Sequence, residues 1–242
     1  MSNSSNFFND IREAKGQSVI GPNVVSNALP YVGGGLVLTA LGTYGGLAVI
    51  HSNPSIFMPT FIAAMIAELV LFFIARGVAE KANNSVALPL LATYSLLSGY
   101  TLSGLVYVAL GTDGVGIQGI AFAALGCGTT FIIARQIGSG LSEKDGLALT
   151  QTVYMALIGF CVVIVAQLLF SLFGVYTANW LEIAISGFGV FLFCGVAVVD
   201  FFILPRTYRD RQYLSAALSM YLTYINLFVF ILRLLIAIFG RD

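Results

Sequence analysis

The chain has 242 residues, of which 58% are hydrophobic and only 9% charged, with eleven basic and eleven acidic side chains. An ordinary soluble domain carries about 25% charged residues, so this composition excludes a water-soluble surface. The zero formal net charge and the lack of any long Lys/Arg cluster exclude a phosphate-binding surface, and with it nucleic acid as a partner. Mean hydropathy is +0.93, and the apolar residues come in blocks of about 20, the length a helix needs to cross roughly 30 Å of hydrocarbon. The expected fold is therefore all-α and polytopic, with the lipid bilayer as its first partner.

Met1 to Leu29 is polar and rich in Asn and Ser, without the short apolar core of a cleavable signal peptide. It reads as a cytoplasmic tail with room for a short interfacial helix, and residues 30–242 read as one transmembrane domain. Spans are expected at 31–50, 56–75, 86–109, 117–134, 147–174, 181–204 and 213–239. The first is glycine-rich and includes a small-xxx-small pair at Gly42 and Gly46. We read this as general bundle packing, because that motif is a weak signal in so glycine-rich a chain. Short connections carry turn residues: His51 to Ser55 with Pro54, Arg76 to Ser85 with Asn83 and Asn84, and Gly111 to Gly116. His51 is the only histidine and sits in the first of these loops, so neither a histidine metal site nor a Ser/His/Asp triad is expected. Cys127, Cys161 and Cys194 lie in separate apolar blocks without CxxC spacing and read as small core residues. No metal, cofactor or catalytic residue is expected.

Basic residues accumulate in cytoplasmic loops, which gives an independent check on the span count. Arg12 and Lys15 precede span one, Arg76 and Lys81 follow span two, Arg135 and Lys144 follow span four, and Arg206, Arg209 and Arg211 follow span six. The loops after spans one, three and five hold none, and the C-terminal tail holds only Arg241. A missed or extra span would break this alternation. It predicts a cytoplasmic N-terminus and a C-terminus on the opposite side.

Each ionisable side chain inside the hydrocarbon costs roughly 2.5 to 3.5 kcal/mol on insertion scales and calls for an explanation. Three qualify: Glu68 near the middle of span two, Asp200 about one turn from the cytoplasmic end of span six, and Arg233 in the outer half of span seven. Asp200 has a bland reading as a side chain that snorkels to the interface or pairs with Arg206 or Arg209, and Arg233 one as an outer anchor. Glu68 is too deep and too short to snorkel, so it is expected to be a proton site and to share a cavity with Asp200. At about 100° per residue, Ser215, Ser219, Thr223, Asn226 and Arg233 fall within a sector of about 80° on span seven. Lipid cannot satisfy such a stripe, which should face other helices or trapped water. Glu182, Ser186, Gly189 and Asp200 share one face of span six and supply the expected opposite wall.

The run from Ala217 to Phe228, followed by Leu232-Arg233, resembles the signature helix of the Bax-inhibitor (transmembrane BAX inhibitor motif) family. Ser98-Gly99-Tyr100-Thr101-Leu102, Ala121-Phe122, Thr129-Thr130-Phe131 and Val198-Val199-Asp200 add matches in order on the expected helices. The resemblance covers roughly residues 30 to 242. It implies six helices packed around a central seventh and, in some members, a pH-sensitive calcium leak sensed by two aspartates on spans six and seven. Asp200 matches the first aspartate, but Thr223 stands where the second would be, so that dyad cannot form here. A lone carboxylate also offers little to a hard cation that prefers several oxygen ligands. Glu68 matches a span-two carboxylate of the family, and Arg76 corresponds only approximately to a nearby basic residue. The hydroxyl at position 223 and the ending Phe239-Gly240-Arg241-Asp242 look more like the bacterial branch that modulates the membrane protease FtsH.

Two functions follow. The first is a regulator bound to a membrane protease or another membrane complex. The alternative is a pH-sensitive calcium or proton leak using Glu68 and Asp200, with Thr223, Asn226 and Arg233 along the path. An intramembrane enzyme is not expected, since only one aspartate lies within a span and no histidine does. The resemblance points to a bacterial plasma membrane or an internal membrane.

Overall fold

The computed structural model describes residues 19–174 and 177–240. The helices are α1 Val24–Ser52, α2 Pro54–Glu80, α3 Asn84–Gly111, α4 Gly116–Gly140, α5 Glu143–Leu172, α6 Asn179–Thr207 and α7 Tyr213–Phe239, with a 3-10 turn at Asp210–Gln212. All seven are long and apolar enough to cross a membrane. Helix is the form such segments take, because each backbone N–H and C=O finds its partner within the segment when lipid offers none.

α1, α2, α3, α4 and α6 run past the expected spans at both ends, α5 starts earlier and ends at Leu172, and α7 coincides with 213–239. α1 begins at Val24 inside the expected tail, burying Val24, Val25 and Ala28. The tail before residue 19, its interfacial helix, and Arg241 lie outside the described residues. His51 belongs to the last turn of α1 rather than to a loop, and its Nδ1 lies 2.9 Å from the Leu47 carbonyl oxygen. Asn53 alone joins α1 to α2, with Pro54 opening the next helix, where its missing N–H costs nothing. The α2–α3 joint is Lys81 to Asn83 and turns through Ala82 at φ +54°. Gly114 and Gly116, at φ +77° and +50°, turn the chain between α3 and α4, and Gly174 at φ +75° follows α5.

The chain divides into two compact units, one formed by Ile20–Gly111 with Tyr208–Leu222, the other by Thr112–Thr207 with Thr223 onward. In the first unit α1 and α3 touch backbone to backbone. A Cβ at Gly42 would overlap the Leu96 carbonyl, one at Gly99 the Thr39 carbonyl, and one at Gly46 the Ser103 side chain. The Gly42/Gly46 pair is therefore spent on packing within the chain. Gly33, Gly34 and Gly45 look away from this seam into open space. At the loop end of this unit, Asp210 accepts hydrogen bonds from the Asn23 backbone and side chain. Asn84 Nδ2 donates to the Arg211 carbonyl and Gln212 Nε2 to the Glu80 carbonyl, tying the α2–α3 joint to the 3-10 turn.

In the second unit α6 is deeply enclosed, with an unbroken buried run from Val199 to Leu204. Gly138 receives the Val198 carbonyl, Gly146 the Phe202 ring and Gly189 the Phe230 ring at distances that leave no room for a Cβ. Cys127 is buried as expected, but Cys161 faces outward, so it is not a core residue.

Candidate functional site

The three intramembrane charges are each held by partners within their own unit. In the second unit, the seven residues from Asp200 to the end of α6 at Thr207 put Asp200 two turns inside the helix, because α6 continues past the expected boundary. Its side chain is 2% exposed and that of Thr223 3%. Thr223 Oγ1 donates to Asp200 Oδ2 at 2.6 Å. The bland reading in which Asp200 snorkels to the interface does not describe this buried carboxyl. Arg206, one of its expected partners, folds back on its own helix. It donates to the Phe202 carbonyl at 2.6 Å, with its guanidinium 3.9 Å above the Phe202 ring.

Arg233 is not a snorkelling anchor. Its Nε donates to Glu182 Oε1 at 2.9 Å and an Nη lies 2.7 Å from the same oxygen. That Nη also donates to Gln167 Oε1 at 3.0 Å. Gln167 Nε2 in turn donates to Glu182 Oε2 at 2.6 Å and to Thr177 Oγ1 at 2.9 Å, and Ser186 approaches Glu182 Oε1 at 3.4 Å. Arginine, amide and carboxylate thus close a ring across α5, α6 and α7. Both carboxylate oxygens are engaged, and the formal charges cancel. Below the ring stand Phe230, stacked on Phe193 at 5.6 Å, and Phe160 at 5.1 Å. The polar faces expected on spans six and seven do meet, through Glu182 with Arg233 and Asp200 with Thr223. Aromatic rings pack between those two points. Asn226 is half-buried on α7 and engaged.

Glu68 belongs to the first unit and is half-buried, on the face of α2 that also buries Ala64, Ala75 and Ala79. Thr101 Oγ1 donates to its Oε2 at 2.8 Å, and the Tyr94 hydroxyl lies beside the same carboxylate. Nearby, Thr39 Oγ1 stands 2.9 Å from the Gly35 carbonyl, 3.1 Å from the Ser95 carbonyl and 2.5 Å from Tyr221 Oη. A threonine has one hydroxyl proton, so Thr39 can donate to only one of these three oxygens. That cluster of hydroxyls and carbonyls lies within the first unit. It fastens α1, α3 and α7 together.

Sequence reasoning singled out Glu182 only as part of a wall and passed over Gln167, Thr177, Tyr94 and Tyr221. A search for every polar side chain inside an apolar block, rather than for ionisable ones alone, finds Gln167 at once in Val165-Ala166-Gln167-Leu168-Leu169. Among the described residues, no group of three or more His, Cys, Asp and Glu is placed to hold a metal ion.

A family model described as inhibitor of apoptosis-promoting Bax1 matches residues 21–241. The chain belongs to the Bax inhibitor family. It is a multi-pass integral membrane protein. It is 31% identical over 203 residues to an uncharacterized membrane protein of Streptococcus pyogenes serotype M6, covering 81% of this chain and 79% of that one. It is 29% identical over 178 residues to an uncharacterized protein of Deinococcus radiodurans, covering 70% and 71%. Bax inhibitor 1 of Schizosaccharomyces pombe is 33% identical over 63 residues, covering 26% and 24%.

Proposed function

We propose that this Bax-inhibitor-family chain acts as a non-conducting regulator bound to another membrane complex, a membrane protease of the FtsH type being the first candidate. The observation that carries this reading is the Asp200–Thr223 contact, in which a hydroxyl donates to the buried carboxyl where a leak-type dyad would place a second carboxylate. A hydroxyl stabilises the single charge, whereas two carboxylates at that separation repel and force one to keep its proton. The neutralised Arg233 ring and the aromatic packing beneath it favour the same reading. Purification of the full chain from native membranes in mild detergent is expected to bring down the protease. Liposomes holding the purified chain are expected to pass no more calcium than empty ones at any pH from 5 to 8. Recovery as a lone species would sink the regulator, and calcium flux would sink the claim of non-conduction.

The alternative, a pH-sensitive calcium or proton leak, draws on the facing polar side chains of α6 and α7. It is separated by the substitution Thr223→Asp. Wild-type Asp200 is expected to titrate as a single site in infrared carboxylate bands, and Thr223→Asp to add a second step. An unchanged titration would mean that residues 200 and 223 do not face each other in the membrane.

The same reading places six helices around α7, which has no exposed residue between Tyr213 and Ala237. It also puts the N-terminus in the cytoplasm and the C-terminus opposite, on the strength of the one-sided Lys/Arg distribution. Labelling of single cysteines introduced at Lys81 and Asp113 with an impermeant maleimide is expected to mark opposite sides of the membrane. Equal labelling from one side would overturn that orientation.

A further inference from the structure

We propose that Glu68 and the hydroxyls turned toward it, all within the first unit, form a mid-membrane binding site for one monovalent metal cation of the sodium kind. The site goes beyond the regulator reading and does not rest on it.

Glu68 lies twelve residues short of the end of α2 at Glu80, about 18 Å along the helix, and so near the middle of the bilayer. It stands on the face that buries Ala64, Ala75 and Ala79, which turns its carboxylate into the protein and away from lipid. A charge at that depth is costly unless something positive compensates it. Among the described residues the ion pairs are Arg76 with Glu80 and Arg233 with Glu182, and Glu68 belongs to neither.

What surrounds the carboxylate is oxygen. Thr101 Oγ1 stands 2.8 Å from Glu68 Oε2 and 3.0 Å from the Ser98 carbonyl oxygen. One hydroxyl proton serves one of these acceptors at a time, so acceptors outnumber donors at Thr101. The Tyr94 hydroxyl lies beside the same carboxylate, and the Tyr221 hydroxyl faces it from α7, next to the Ser98 hydroxyl. Tyr94 is 5% and Tyr221 1% exposed, so packing holds both rings in place. Oxygens of this kind suit a hard cation, not a zinc- or copper-type ion that favours thiolate or imidazole. Charge sets the valence. The carboxylate supplies one negative charge and the hydroxyls and carbonyl none, so one positive charge neutralises the site, whereas a divalent ion leaves a net charge at mid-membrane depth. Calcium also takes about six to eight oxygens, more than gather here.

The test uses the full chain in phosphatidylcholine nanodiscs at pH 7.5, with sodium chloride replacing choline chloride at constant ionic strength. Sodium is expected to raise the thermal unfolding midpoint saturably, as a ligand of the folded state does, and to shift an infrared carboxylate band of the wild-type chain. Glu68→Gln should remove both responses. Thr101→Val, which keeps the shape and deletes one oxygen, should raise the half-saturating sodium concentration about tenfold, the worth of one contact to a charged group. Thr93→Val, on the same helix with its hydroxyl bonded to the Pro89 carbonyl, should leave that concentration unchanged. Identical behaviour in sodium and choline overturns the proposal, as does a sodium response that survives Glu68→Gln. A carboxylic-acid band that persists in sodium and is absent from Glu68→Gln assigns the site to a proton and overturns it too. The two readings fail separately. Recovery of the chain as a lone species from native membranes sinks the regulator and leaves the sodium response intact, whereas equal behaviour in the two salts sinks the site and leaves the regulator.

Discussion

Arg233→Met is expected to destabilise the protein by about 3 kcal/mol, the lower end of the range for breaking a buried ion pair, since Arg233 and Glu182 both retain 23% side-chain exposure. The cost comes from what the substitution leaves behind. Glu182 keeps its charge but loses the cation bonded to it, and Gln167 loses the donor to its carbonyl oxygen. Removing both charges is far less harmful, because the desolvation of each ion no longer has to be offset. The double substitution Arg233→Met with Glu182→Met is therefore expected within about 1 to 2 kcal/mol of wild type, the remainder being the donor and the acceptor that Gln167 loses. Trp180, the only tryptophan, is 70% exposed two residues before Glu182 and reports on this end of α6. Unfolding by sodium dodecyl sulfate, followed by its fluorescence, gives both values. If the double variant is as unstable as Arg233→Met alone, the ring is not an ion-pair unit and its energy lies in packing.

Gly99→Leu is expected to cost about 3 kcal/mol or more, or to prevent assembly of the first unit, because overpacking a seam that cannot yield is destabilising. The first added atom would overlap the Thr39 backbone. Backbone atoms cannot swing aside as a long side chain can, so α1 and α3 would have to part. Separation would also break the hydrogen bonds from Thr39 to the Ser95 carbonyl and from Thr43 to the Gly99 carbonyl. Gly33→Ala is the matched control, since a Cβ at Gly33 meets nothing within 4 Å. There the gain in helix propensity, about 1 kcal/mol at most, goes unopposed. The same denaturation series compares the two positions, and a Gly99→Leu protein as stable as wild type would show that the seam is not close-packed.

Much of this was legible in the chain because the bilayer imposes its demands locally. Twenty apolar residues must form a helix whatever their neighbours are, so the number of spans followed from block length, and the loops were misjudged only where helices continue into polar sequence such as Arg76–Glu80 and Arg135–Gly140. The polar stripe on the last helix was also legible, because a 3.6-residue period is a property of the segment itself. It correctly set Thr223 toward Asp200.

Pairings beyond the stripe were not legible. Nothing local to Arg233 distinguishes an arginine that reaches for the interface from one that reaches for Glu182, fifty-one residues away in sequence. The choice depends on where α5 brings Gln167. Likewise Gly42 and Gly33 are the same residue on the same helix, yet one meets the Leu96 carbonyl and the other open space. The sequence by itself determined the membrane class, the seven helices and the identity of the buried polar groups, since each depends on transfer between water and lipid. Only the tertiary structure decided which groups neutralise each other and that Glu68 meets Thr101 and Tyr94, because compensation of a buried charge is a matter of a few ångströms between helices.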